Sequence, residues 1–233
     1  MLDDAPETLL DPGVTAVTAA EARSKPLLRG VSHSVAAVAM LVVGPLVVTR
    51  AHGARDVVLT LVYVLSVEAM FTVSALFHRV TWSPEGRRRM RRLDHSMIFV
   101  AIAGSYTATA GMMLPGHDST LVISIVWVGA SAGVILRMAW LDAPKWAVAL
   151  PYLALGWLAL AFLPEMMHAM GGEALGLVGL GGAFYTAGAV VYARKRPDPW
   201  PKVFGYHEIF HALVIAGAVT HLCVVAFIVL PSR

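Results

Sequence analysis

Between Val31 and Leu230 the chain is almost continuously apolar, interrupted only briefly by charged or turn-forming residues. A helix that crosses the hydrocarbon core of a bilayer needs about 20 mostly apolar residues. Seven runs meet that requirement, at roughly 31–49, 57–78, 94–114, 119–139, 146–163, 174–192 and 204–230. Little chain remains for a separate water-soluble domain, and the short connections favour an antiparallel bundle. Composition agrees: 58% of the 233 residues are hydrophobic and 14% are charged, too few charges to cover a water-facing surface. The expected fold is therefore an all-α, seven-transmembrane-helix bundle occupying residues 26–233. Residues 1–25, acidic and without a basic stretch leading into an apolar one, read as a flexible cytoplasmic arm rather than a secretory signal. The single cysteine, Cys223, lies in an apolar run and reads as a small packing residue.

Lys and Arg set the orientation. With a cytoplasmic N-terminus, the inner side carries Arg23, Lys25, Arg29, Arg79, the cluster Arg87 to Arg92, Arg137, Lys145, Arg194 to Arg196 and Lys202, whereas the outer side carries Arg50, Arg55 and Arg233. That asymmetry predicts a multi-pass protein of the cell inner (plasma) membrane with its C-terminus outside. The "GRRRMRR" cluster is then a cytoplasmic loop facing anionic headgroups, not a nucleic-acid site. Small residues four apart in the sixth run, Gly172 and Gly176, then Gly179, Ala183 and Ala187, predict tight helix packing there. Pro151 predicts a kink in the fifth run.

Ionisable groups inside membrane spans are costly and mark function by default. Those present are His33, Glu68, His78, Asp94, His95, His207, Glu208, His211 and His221. The predicted topology places His78 at the inner end of the second span, Asp94 and His95 at the inner start of the third, and His207 and His211 at the inner start of the seventh. His207 and His211 stand four apart, so one helix face presents both imidazoles. Ser74 is likewise one turn before His78. Three imidazoles leaving a fourth position open make a catalytic type of zinc site, with Asp94 as base or orienter of a water. Asp94 also fits a helix N-cap. His33, His95 and His221 read as packing or interfacial histidines, and His221 is too far along its helix to share the inner site. Glu68, at mid-membrane depth, reads equally well as a cross-helix partner or a proton carrier. His207-Glu-Ile-Phe-His211 also fits the H-E-x-x-H pattern of zinc proteases, in which Glu208 would be the general base.

Four segments, "SALFH", "RRLDHSMIFVAIAGSYTA", "GGAFYTAGAVVYARK" and "GYHEIFHALVIAGAVTHL", occur in this order. Together they resemble the hemolysin III proteins of bacteria, within the wider progestin and adipoQ receptor family. "RGVSHSVAAVA", with Glu21 upstream, resembles the start of that family's first helix, with Arg29 where an Asn is common. The resemblance implies zinc held by His78, His207 and His211, with Asp94 and Ser74 at its water. It makes Glu208 incidental within an H-x-x-x-H motif. The implied activity is ceramidase-like hydrolysis of a lipid amide or ester entering laterally from the membrane. A non-enzymatic membrane sensor with structural zinc, an intramembrane protease and a cytolysin are the alternatives.

Overall fold

The computed structural model describes residues 25–232. The arm expected at residues 1–25, with Glu21, therefore lies outside the described residues except for Lys25. In chain order the elements are α1 (Val31–Val48), α2 (Gly53–Arg79), α3 (Pro84–Met113), α4 (Gly116–Ala139), α5 (Lys145–Gly156), a 3-10 segment (Trp157–Phe162), α6 (Leu163–Arg194) and α7 (Tyr206–Val224). A π-helical turn at Val225–Val229 and a 3-10 turn at Leu230–Ser232 extend α7. No β-strand occurs among the described residues, only an isolated bridge between Trp200 and Phe204.

Among the described residues six helical stretches are long and apolar enough to cross a membrane, where the sequence predicts seven. The difference lies in Ala149–Arg194, a stretch of 46 residues. A straight helix of that length would run about 70 Å, more than twice the hydrocarbon thickness. It is not straight. Gly171 has φ 74° and ψ 169°, which no helix accommodates. Trp157 Nε1 donates to Thr186 Oγ1 at 2.9 Å across 29 residues, a separation of about 43 Å along an unbroken helix. The chain therefore folds back on itself near Gly171, midway between those two partners. The connection expected between the fifth and sixth runs is itself helical apart from Gly171, so the two runs form one stretch rather than two.

Helices consecutive in sequence pack side by side, and α1 also meets α7. Several contacts depend on a missing side chain. A Cβ on Gly44 would stand 2.5 Å from Val64, and one on Gly104 would stand 2.5 Å from Ser66. One on Gly217 would stand 2.8 Å from the Tyr185 ring. Small residues at such crossings let backbones approach where no hydrophobic effect drives association. The expected small-residue row of the sixth run is not the packing face, however. Gly172, Gly176 and Gly179 have nothing within 4 Å of a built Cβ. The glycines that face α7 are Gly181, against His221, and Gly188, against Phe210. Spacing identifies rows of small residues but not which row meets a neighbour, and here that follows from how the hairpin at Gly171 rotates α6.

The "GRRRMRR" segment also differs from expectation. It is helical, because α3 begins at Pro84, about ten residues before the apolar run. Ser83 caps this start by accepting from Gly86 N at 3.2 Å, Pro84 occupies the first turn, and Arg and Met are good helix formers. The early start anchors the basic end of the bundle: Arg91 Nη2 donates to Leu141 O at 2.8 Å and Asp142 Oδ1 at 2.6 Å, tying α3 to the α4–α5 connection. At the same end, Leu27 N and Leu28 N donate to Lys202 O and Val203 O. The Arg-rich connections thus gather at one pole, and the chemistry-bearing residues lie just inside it. Away from that pole α1 presents Val35, Val38, Leu41, Val42 and Leu46 outward, the surface a lipid-facing helix requires.

Candidate metal centre

His78 is the last residue but one of α2, and the segment leading into α1 packs closely against it. Gly30, immediately before α1, has φ +79°, and a Cβ there would lie 2.5 Å from His78 Cβ. His207 and His211 occupy the first two turns of α7. The ring centroids of His78 and His207 are 4.8 Å apart, of His78 and His211 5.0 Å, and of His207 and His211 4.5 Å. His207 Nε2 and His78 Nε2 approach to 3.2 Å. One ligand nitrogen from each of the three histidines lies within 4.8 Å of the others. The three imidazoles brought together are the three that the sequence singled out, and they are close enough to hold one metal ion.

Asp94 and Ser74 stand on the wall of the cavity that His207 and His211 also line, and Ser74 is the side-chain hydrogen-bond partner of the Asp94 carboxylate. Asp94 is not an N-cap. Because α3 starts at Pro84, it sits in the third turn, well inside the helix.

His33 is the residue that sequence reasoning undervalued. It is 3% exposed, and its ring stacks on His211 at 3.8 Å with an interplanar angle of 9°. Phe71 meets its edge at 5.2 Å. The Phe71–His33–His211 stack fixes the plane of a candidate ligand ring. The only sequence signal was His33's place at the inner end of its span, which several unrelated residues share. His95 lines the cavity beside Asp94. Its Nδ1 lies 2.7 Å from Arg137 Nη2, and since a guanidinium can only donate, Nδ1 is the acceptor. His221 sits further along α7, outside the trio, as its spacing predicted. Glu68 accepts from Thr72 Oγ1 at 2.6 Å on its own helix.

Glu208 is not incidental. It is 2% exposed, and both carboxylate oxygens are engaged. Oε1 accepts from Arg29 Nε, and Oε2 accepts from Gly205 N at 2.8 Å. The second bond caps the start of α7, a role that Gly205-x-x-Glu208 spacing allows. The first ties α7 to the segment leading into α1. Both contacts turn the carboxylate toward Arg29 and the start of α7, and Glu208 is not among the residues lining the cavity that His207 and His211 line. That placement disfavours the H-E-x-x-H protease reading, which needs Glu208 facing a water at the metal. Arg29 is thus the ion-pair partner of Glu208.

Residues 22–222 match the family described as haemolysin-III related. The chain belongs to this family. Across the haemolysin-III-related fold it is 30% identical over 182 residues to Hemolysin-3 of Bacillus cereus, covering 78% of this chain and 80% of the relative. It is 28% identical over 177 residues to the Hemolysin-3 homolog of Bacillus subtilis (strain 168), covering 76% and 80%. More distantly, it is 24% identical over 164 residues to the Monocyte to macrophage differentiation factor of Homo sapiens, covering 69% and 66%. A stretch of 63 residues, 25% of this chain and 16% of the relative, is 44% identical to Heptahelical transmembrane protein 5 of Arabidopsis thaliana. The family membership agrees with a multi-pass membrane protein, and the trio of histidines lies within the matched residues.

Proposed function

We propose that this protein is a zinc-dependent membrane hydrolase acting on lipid amides or esters. The observation that carries the reading is the convergence of three imidazoles, two of which, His207 and His211, share the wall of one cavity with Ser74 and Asp94. Nitrogens bound at about 2.05 Å to a tetrahedral zinc stand roughly 3.3 Å apart, close to the 3.2 Å between His207 Nε2 and His78 Nε2. Three neutral nitrogen donors and no thiolate fit zinc's preference. When bound, zinc supplies a Lewis acid that lowers the pKa of a water toward neutrality. His78, His207 and His211 would hold it. The Asp94 carboxylate accepts the proton lost by the attacking water, and Ser74, hydrogen-bonded to that carboxylate, keeps it oriented. Proton acceptance by a placed side chain contributes about 10²- to 10⁴-fold.

The membrane embedding follows the Lys and Arg distribution. Counting the two arms of the Ala149–Arg194 hairpin separately gives seven crossings, in keeping with the heptahelical name of one relative. The N-terminus is then cytoplasmic, the C-terminus outside, the membrane the cell's inner (plasma) membrane, and the metal site just within the inner leaflet. The cavity is lined mostly by apolar side chains of α3, α5, α6 and α7, which suits a lipid entering sideways from the bilayer and no nucleic acid.

Elemental analysis of the purified protein, paired with a lipid-hydrolysis screen of wild type and Asp94→Asn, tests the reading. One zinc per chain in both proteins, with turnover only in wild type, is the expected result. Loss of zinc in Asp94→Asn would instead make Asp94 a ligand of a closed, structural site. Absence of turnover from zinc-loaded wild type on amide and ester lipids alike would overturn the hydrolase.

A further inference from the structure

The cavity does not end at the histidines. On α7 its lining runs from His207 to Val224, on α6 from Tyr192 to Leu175, and on α3 from Asp94 to Thr109. Each of these stretches is about 22–26 Å of helix. Three helices thus outline an elongated, mainly apolar channel leading from the candidate metal centre deep into the bundle. Most of its wall suits a hydrocarbon chain, the hydroxyls of Ser105, Thr109 and Thr186 each donating to a carbonyl of their own helix, but one place stands out.

That place is His221. It lines the channel ten residues beyond His211, about 15 Å further along α7 and roughly a dozen carbon–carbon steps of an extended chain. Its Nε2 lies 3.3 Å from Val178 O. A carbonyl only accepts, so Nε2 carries the proton, and the neutral ring presents a lone pair at Nδ1. The Nε2 edge is pressed against α6: a Cβ on Gly181 would lie 2.5 Å from Nε2. Tyr185, also on the channel wall, packs edge-to-face on the same ring at 5.5 Å. Tyr63, near Tyr185 and Cys223, is fully buried and its hydroxyl has no partner. Polar groups in so apolar a region are costly unless they are satisfied, and His221 and Tyr185 meet on this wall.

We infer that His221 and Tyr185 form a second polar subsite that recognises a hydroxyl carried by an acyl chain about a dozen carbons from the group held at the metal centre. An alcohol matches both partners. Its O–H donates to the His221 Nδ1 lone pair, and its oxygen accepts from the Tyr185 phenol. A ketone has no proton for Nδ1, and an unsubstituted chain leaves the imidazole unmatched. The substrate class is accordingly a lipid with a mid-chain hydroxylated acyl group. This rests on the reading of the channel as a lipid-binding site.

Equilibrium binding of three free acids to the zinc-loaded, detergent-solubilised full chain tests it: octadecanoic, 12-hydroxyoctadecanoic and 2-hydroxyoctadecanoic acid. Wild type should bind the 12-hydroxy acid roughly 5- to 10-fold tighter than either of the others, the gain of one or two neutral hydrogen bonds. In His221→Phe that ratio should fall to about 1. Tyr185→Phe, which removes a single oxygen and keeps the ring that packs on Gly217, should reduce it. Equal binding of the three acids by wild type overturns the subsite while leaving the lipid channel standing, as does a preference that survives in His221→Phe. If none of the acids binds, the lipid reading of the channel falls, and the subsite with it.

Discussion

Gly30→Ala offers a direct test of how the site is assembled, because the structure supplies its own control. Gly30 and Gly53 both have positive φ, +79° and +76°. For an L-residue such a conformation costs about 1–2 kcal/mol, and both alanine variants bear that cost. They differ in what the new methyl group meets. At Gly53 nothing lies within 4 Å, whereas at Gly30 the methyl would stand 2.5 Å from His78 Cβ. Relieving such a contact in a packed interior costs about 1–3 kcal/mol more. Gly30→Ala should therefore lose about 2–5 kcal/mol in total and Gly53→Ala about 1–2 kcal/mol. The distinguishing effect is local. The added methyl pushes on the backbone end of a candidate ligand side chain, and ligand nitrogens must be placed within a few tenths of an ångström. Thermal unfolding in detergent, with and without added zinc, and zinc content after dialysis read the two effects separately. Gly53→Ala should retain full zinc content and the zinc-induced rise in Tm. Gly30→Ala should show a lower Tm and lose much of its zinc. Identical behaviour of the two variants would mean that the α1 approach does not hold His78 in place.

Other outcomes follow from the same geometry. Alanine at His78, His207 or His211 should each abolish retained zinc, whereas alanine at His95, which lies off the trio, should not; zinc content after dialysis separates them. Glu208→Gln should leave zinc content intact but lower stability by about 1.5–3 kcal/mol, the worth of hydrogen bonds to a charged group, measured as a lower denaturation midpoint. Zinc loss in that variant would return Glu208 to the metal site. His33→Phe, which keeps a ring against His211, should preserve zinc better than His33→Ala, and equal loss in both would assign the effect to the His33 nitrogens rather than to stacking.

Much of this protein is legible in its sequence because the governing relations are local. Crossing a bilayer demands a length of apolar chain, so the spans show as runs. Residues four apart share a helix face, so the pairing of His207 with His211 and of Ser74 with His78 can be read along one strand of text. Family motifs in order supply the rest of the candidate site. What escaped depends on helices far apart in the chain. Arg29 and Glu208 are 179 residues apart, and nothing in H-E-I-F-H indicates that its glutamate is tied to the segment before the first helix. His33 looks like any interfacial histidine until the packing of α1 on α7 lays it against His211. The start of α3 at Pro84 was hidden because arginines that form a helix above the membrane leave no apolar signature. The channel, and His221 on its wall, exist only because the hairpin at Gly171 turns α6 back alongside α5 and α7. Periodicity reports which residues share a face of one helix. Which faces then confront each other depends on contacts that close over long stretches of chain, and those form only in the folded bundle.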